Sequence, residues 1–270
     1  MPEQALTVSI VIPAYNEERH LRACLEAVAE QTIQPSEVIV VDNNSTDATV
    51  SIAQQYPFVK IIKEKKQGIV FARNAGFDTA TGDIIGRIDA DTEIPPDWVE
   101  HILWFYKDSD HLARYAFTGG TVPQNVRFPR FGSWLQGQIA FRMNRFLLGH
   151  YILFGSNMAL PRHLWQEVRQ HVCKRTDIHE DLDLSIHLHR LKYQITYQAT
   201  WCVQTHVRRV RSGRDSLWRN LMLWPQTLKV HANRLWRLGW VGAFVLYIGS
   251  FLLPVFEWIA RRAGRRPLEE

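Results

Sequence analysis

Short apolar runs alternate with amphipathic stretches through roughly the first hundred residues, and this alternation predicts the fold class. Val8-Ser9-Ile10-Val11-Ile12 is a β-branched run ended by Pro13, the pattern of a strand buried on both faces. The loop Pro13-Ala14-Tyr15-Asn16-Glu17-Glu18 leads into a helix predicted from Glu17 to about Glu30, with Leu21, Cys24, Leu25 and Val28 on one face. Val38-Ile39-Val40-Val41 is a second strand. It ends at Asp42, and Asn43-Asn44-Ser45-Thr46-Asp47 caps a helix reaching about Gln55. Val59-Lys60-Ile61-Ile62 predicts a third strand, followed by a basic loop and a helix around Gly68 to Phe77, and Ile84 to Ile88 a fourth strand. Strand and helix in alternation imply an α/β fold whose sheet is mainly parallel, with right-handed crossovers.

Ligands of such sheets bind outside the carboxyl ends of the strands. Those ends carry Tyr15 to Glu17, Asp42 to Asn44, and Asp89 with Asp91. No G-x-G-x-x-G follows the first strand and no G-x-x-x-x-G-K-[ST] occurs, so phosphates there must be held by metal and side chains. Asp89-Ala90-Asp91 places two carboxylates where an apolar strand emerges, a geometry suited to a hard divalent ion and a nucleoside diphosphate; the same pair also describes a solvated turn. Lys63, Lys65 and Lys66 read mostly as a solvated charge run. Arg73 is different: it lies on the helix before the Asp89 strand, where a forked guanidinium can reach a diphosphate.

Four segments in order, VSIVIPAYNEE (8–18), VVDNNSTDAT (40–49), RNAG (73–76) and DADT (89–92), resemble the motifs of glycosyltransferase family 2, over roughly residues 6–210. The resemblance implies the GT-A fold, a Rossmann-like mixed sheet flanked by helices. It implies that Pro13, Ala14, Tyr15, Glu17, Asp42 and Asn44 receive the nucleoside, and that Asp89, Ala90 and Asp91 face ribose, diphosphate and metal. Where many relatives have a second acid, this chain has Asn43, which leaves the choice of base open. Gly155 to Arg162 looks like the family's glycine-containing segment, where close approach of backbone to donor or acceptor is expected and Gly155 and Asn157 are donor-binding candidates. His179-Glu180-Asp181-Leu182-Asp183 precedes an apparently helical stretch from Ser185 to Leu191, and by resemblance Asp181 is the general base, with Glu180 orienting the acceptor. Asp183 reads as a helix-capping acid.

Among eleven histidines, His206 stands at the separation from the acid pair where relatives carry a metal-binding histidine. Asp91, Asp89 and His206 are therefore the expected ligands of Mn2+ or Mg2+. The donor expected from family frequency is a UDP-sugar, with a GDP-sugar as the other possibility. Cys24, Cys173 and Cys202 are odd in number and lack C-x-x-C spacing, so neither a disulfide framework nor a structural zinc site is indicated. No signal peptide precedes the first strand, which predicts a cytosol-facing enzyme. The net charge of +5 and the arginines at 208, 209, 211 and 214 suit anionic headgroups or a phosphate-bearing acceptor; nucleic acid is not expected, since no recognisable nucleic-acid module is present.

The chain changes character beyond Trp224. Leu238 to Phe256 holds no charged residue and as a helix would be about 28 Å long, near the roughly 30 Å hydrocarbon core. Tryptophans at 236, 240 and 258 and arginines on both sides predict a membrane-embedded or in-plane anchor at the cytoplasmic face, with a buried C-terminal helix or dimer interface as the soluble alternative. Residues 131–154 are read as core or as a second interfacial helix. The expected organisation is a catalytic domain at 1–215 and an apolar, membrane-associating helical appendage at 216–270. Two functions follow: a metal-dependent inverting transferase moving a hexose from a nucleotide-diphosphate sugar to a hydroxyl acceptor, plausibly lipid-linked, or an inactive nucleotide-sugar-binding or scaffold protein of the same fold. A sugar nucleotidyltransferase is disfavoured because its glycine-rich N-terminal loop is missing.

Overall fold

Strands β1 (Val8–Ala14), β2 (Glu37–Asp42), β3 (Val59–Lys63), β4 (Ile84–Arg87), β5 (Thr92–Glu93), β6 (Tyr115–Pro123), β7 (Met158–Pro161) and β8 (Gln194–Thr205) form one sheet in the order β3-β2-β1-β4-β7-β6-β8-β5. The protein is seen in a computed structural model, which describes residues 5–124, 133–134, 137–206 and 214–240. β3, β2, β1 and β4 run parallel; β7 is antiparallel to both β4 and β6, and β5 to β8. The parallel half matches the alternation in the sequence, because each crossover helix returns the chain to the same end of the sheet.

Both faces of that half are covered. Along β1, Ile10 and Ile12 point into one core with Leu21, Leu25, Trp98 and Ile102, while Val11 points into the other with Ile39, Phe77, Leu164 and Trp165. A β-branched run whose one polar residue, Ser9, is buried and bonded to Glu37 Oε1 at 2.6 Å suits a strand covered on two sides. The helix Ile69–Thr79 lies directly on the second face: a Cβ at Gly76 would overlap the Val11 side chain and approach Val41 Cγ2 to 2.9 Å. The glycine of the Arg73-Asn74-Ala75-Gly76 segment is thus a packing residue. Trp98, fully buried, stacks on Trp201 with ring centroids 5.2 Å apart and donates Nε1–H to Asn157.

Several predicted boundaries move. The first helix is Leu21–Ala29, starting four residues after Glu17; ahead of it the backbone N–H groups of Glu17 and Glu18 donate to Thr49 Oγ1 (2.7 Å) and Asp47 Oδ2 (3.0 Å) across the neighbouring loop. The second is shorter than expected, Thr49–Ala53, and Pro57 bars its extension. The helix expected from Ser185 begins at Glu180 and runs to Arg190, so the acids form its first turn. Within 131–154, residues Gly137–Met143 form a π-helix and Asn144–Leu148 an α-helix; Phe141 is fully buried and stacks on Tyr197 with centroids 3.9 Å apart, whereas Phe146 is exposed.

The described residues fall into two compact units, 5–124, 133–134, 137–176 and 180–206 in the first, 177–179 and 214–240 in the second. In the second, the helix Arg214–Val230 contains Pro225, and Gly239 comes back against Trp224 and Pro225. His179 donates its backbone N–H to Thr227 Oγ1 at 2.8 Å. Among the described residues no helix is long and apolar enough to cross a membrane, so the expected apolar helical appendage is not supported. Most of the Leu238 to Phe256 stretch, from Val241 onward, lies outside the described residues, as do Arg208, Arg209 and Arg211.

Candidate active site

The loops after β1 and β2 are tied to one another. Asn16 and Asn44 hold left-handed backbone (φ 54 and 65), a conformation asparagine tolerates better than most residues. Asn16 Oδ1 accepts from the Thr46 N–H at 2.8 Å, and Ser45 Oγ from the Asn16 N–H at 3.1 Å. Asp42, buried at the end of β2, turns the same loop by accepting from the Ser45 N–H at 2.8 Å. Pro13 and Ala14 are buried in β1, Tyr15 is half-exposed, and Glu17 is partly buried.

Asn43 has a different task from the acid it replaces. Its Nδ2 donates to the carbonyls of Glu64 (2.9 Å) and Lys66 (2.8 Å), and its Oδ1 accepts from the Gly68 N–H (2.8 Å). A carboxylate has no protons for two carbonyls, so the amide is required by this loop. Asn44 adds a bond to the Lys65 carbonyl at 2.9 Å. The bonds run from the β2 loop to the basic loop, whose Lys65 and Lys66 remain exposed.

The centre of the site is a residue that motif reading passes over. Arg87, the last residue of β4 and 2% exposed, donates Nη1–H to Asp181 Oδ1 at 2.6 Å and Nη2–H to both Asp89 Oδ1 at 3.0 Å and Glu180 Oε1 at 3.2 Å. Burial works to lower its pKa, but the carboxylates of Asp181, Asp89 and Glu180 outweigh burial and hold the guanidinium above its ordinary value. Asp89 of the strand-end pair and the acids of the Glu180–Arg190 helix therefore meet on one cation. The signal was an arginine inside the apolar run 84–88: a charge in a buried strand demands partners.

Gly155 and Asn157 serve this arrangement. A Cβ on residue 155 would lie 2.6 Å from Arg87 Cζ, so the close approach expected at that glycine is made by the guanidinium. The Gly155 N–H also donates to Asp181 Oδ2 at 2.7 Å. Asn157 is fully buried; its Oδ1 accepts from Trp98 Nε1 (2.9 Å) and its Nδ2 donates to the carbonyls of Gly120 (3.1 Å) and Trp201 (2.8 Å). Its expected donor contact gives way to a core role, since the amide's hydrogens are committed. Arg73 is also fully buried: Nη1 donates to the Glu180 carbonyl at 3.0 Å, Nε to Asn74 Oδ1 at 3.0 Å, and the guanidinium lies over the Trp165 ring. In this structure it braces the start of the acid helix, with Nη2 buried and without a hydrogen-bond partner.

Asp91 and His206 are brought together by strand pairing. Thr92 is opposite Thr205 in the antiparallel β5–β8 pair, and Asp91 and His206 are the next residues beyond that rung. His206 Nε2 is 3.4 Å from Glu93 Oε1, and its ring lies 4.9 Å from that of His20. Cys24 sits beneath the acids: burial raises its thiol far above the ordinary value, and the charges of Asp91, Asp89 and Glu17 raise it further. Carboxylates from three loops thus share one neighbourhood, with an imidazole at its edge.

A mixed sheet flanked by helices, with acids at the exit of its fourth strand, agrees with the GT-A fold expected from the sequence. Residues 9–168 match the family model described as Glycosyl transferase family 2, and the chain belongs to that family. It is similar to the putative glycosyltransferase EpsH of Bacillus subtilis, 34% identical over 129 residues that are 44% of this chain and 38% of EpsH. The matched region thus spans about two fifths of that relative's length. Among solved structures it resembles mannosyltransferase PcManGT of Pyrobaculum calidifontis, solved with GDP-Man and Mn2+ (TM-score 0.64, 20% identity, 97% of this chain and 81% of that one). It also resembles glucosyl-3-phosphoglycerate synthase of Mycobacterium tuberculosis with Mn2+, UDP-glucose and phosphoglyceric acid (TM-score 0.60, 19% identity, 81% and 78%). These likenesses show the GT-A fold.

Removing Arg87 leaves buried carboxylates facing one another. Arg87→Met is expected to lower the unfolding free energy by about 3–5 kcal/mol in urea denaturation, the cost typical of stranding a buried charge. Stability within about 0.5 kcal/mol of the parent would show that the acids do not depend on the guanidinium.

Proposed function

We propose that this chain transfers a hexosyl group from a nucleotide-diphosphate sugar, UDP-linked in preference to GDP-linked, to a hydroxyl acceptor with inversion at the anomeric carbon. The observation that carries the reading is the Arg87 guanidinium, which holds donor-side Asp89 and acceptor-side Asp181 and Glu180 within one residue's reach. A transferase needs those two ends adjacent, because the attacking oxygen and the departing diphosphate lie on opposite sides of one carbon.

Asp181 is the proposed general base. Its two oxygens accept from Arg87 and from the Gly155 N–H, which fixes the carboxylate in place for proton transfer. Glu180, held on the same guanidinium, orients the acceptor. The acceptor's proton passes to Asp181 as its oxygen bonds the anomeric carbon, and the bond from that carbon to the diphosphate breaks with its electron pair. The loops around Asp42, Asn44, Tyr15 and Glu17 receive the nucleoside.

The donor set fits a divalent ion. Asp89, Glu180 and Asp181 share the Arg87 guanidinium, Arg73 lies beside Glu180 and Asp181, and Asp91 adds a fourth acid to the neighbourhood. Asp91 and Asp89, with His206 beyond the Thr92–Thr205 rung, would hold Mn2+ or Mg2+, oxygen ligands with one imidazole. Such an ion neutralises the charge that gathers on the departing diphosphate.

Asp181→Asn is expected to keep donor affinity while transfer falls about a hundredfold to ten-thousandfold, and NMR of the product is expected to show inverted anomeric configuration. Retained configuration would overturn the single-displacement mechanism. Calorimetry tests the metal: folded Asp91→Ala should lose Mn2+-dependent nucleotide binding, and His206→Ala should weaken it. Unchanged affinity in Asp91→Ala would remove that ligand.

The acceptor is proposed to be lipid-linked and the enzyme to work at the cytoplasmic membrane face. Support comes from the uncharged Leu238 to Phe256 stretch with its flanking tryptophans and arginines. The full chain should float with vesicles containing anionic lipid. Recovery of all protein in the soluble fraction as a monomer would overturn the anchor.

A further inference from the structure

Asp183 lies between the catalytic acids and the far end of their helix, and nothing in glycosyl transfer uses it. It is fully buried, and His187, one turn further along the Glu180–Arg190 helix, presents Nε2 to Asp183 Oδ1 at 3.5 Å. Cys173 comes from the segment before that helix, with Sγ 3.9 Å from His187 Nε2. The three ligand atoms lie within 4.8 Å of one another. The His171 ring stacks alongside His187, with centroids 6.2 Å apart.

Thiol, imidazole and carboxylate are the donor types that bind zinc. Ligands about 2.0–2.3 Å from a tetrahedral ion stand about 3.4–3.6 Å apart, so the separations of 3.5 and 3.9 Å require shifts of only a few tenths of an ångström. The remaining oxygen is already supported: Asp183 Oδ2 accepts the Cys173 backbone N–H at 2.9 Å, leaving Oδ1 on the side of His187. A ligating carboxylate held by a second hydrogen bond is the usual way such an oxygen is aimed. The trio is separate from the strand-end acids Asp89 and Asp91 in sequence and in ligand type, with a sulfur donor that hard Mn2+ and Mg2+ do not favour.

We propose that Cys173, Asp183 and His187 form a second divalent-cation site, selective for zinc, that fastens the Cys173 segment to the helix carrying Glu180 and Asp181. Three protein ligands leave a fourth position for water or another imidazole. Without an ion, burial followed by the Asp183 contact raises the Cys173 thiol to about 11, so binding at neutral pH displaces its proton. The proposal stands independently of which sugar is transferred.

Cobalt(II) reports the site, because a thiolate ligand gives a near-ultraviolet charge-transfer band that oxygen and nitrogen ligands do not. Titrating the metal-stripped full chain with Co2+ should produce that band, saturating at one ion per chain, and Zn2+ should abolish it by displacement. Cys173→Ser should lack the band, Cys202→Ser should keep it, and His187→Asn should weaken Co2+ binding by at least about tenfold, in line with loss of one ligand. At a hundredfold excess over Kd, Zn2+ should raise the Tm of the parent by about 5–10 °C and leave that of Cys173→Ser unchanged. Absence of the band in the parent chain, or its persistence in Cys173→Ser, overturns the site. Should Cys173→Ser fail to fold, His187→Asn decides: undiminished cobalt affinity there also overturns it.

Discussion

A buried guanidinium with three carboxylates on it is the constraint around which the rest of this molecule is arranged. Taking an ion out of water costs several kcal/mol, and one ion pair at an effective dielectric near 20 and about 4 Å gives back roughly 4 kcal/mol. Arg87 with a single acid would therefore sit near break-even. With Asp89, Glu180 and Asp181 together it is held firmly.

The demand for this cluster explains residues that would otherwise look like independent features. Gly155 lacks a side chain because the guanidinium occupies the space, and its N–H secures the second oxygen of Asp181. Arg73, buried against Trp165, grips the Glu180 carbonyl and so fixes where the acid helix begins. Gly76, in the same helix as Arg73, lets that helix lie on Val11 and Val41. One short segment, Arg73 to Gly76, thus determines both how close the helix comes to the sheet and where the acids start.

The parallel half of the sheet was legible in the sequence because β1 and β2 are buried along almost their whole length and are β-branched, mostly apolar runs. β6 and β8 were harder: Thr118, Gly119, Gly120 and Thr121 interrupt the one, and Gln194, Gln198 and Gln204 stud the other. The strand-end acids and the acid pair of the helix were visible as motifs that had to share one crevice, but the arginine joining them was not, since Arg87 and Asp181 are 94 residues apart in the chain. Asn157 was misread for a related reason. A polar side chain in a motif suggests a ligand, and only its hydrogen bonds to Trp98, Gly120 and Trp201 show that the core consumes it. At Asn43 the sequence showed only that a second acid is missing, whereas the structure shows its amide protons holding the basic loop.

The central claim is that Arg87 couples the acids of the donor side to those of the helix. A double-mutant cycle in urea denaturation between Arg87→Met and Asp181→Asn measures that coupling directly, because each single change strands the other partner. The account predicts that the double variant is more stable than the sum of the single losses implies, with an interaction energy of about 2–3 kcal/mol. Additive losses, within about 0.5 kcal/mol, would contradict it: the two residues would then be neighbours without being partners.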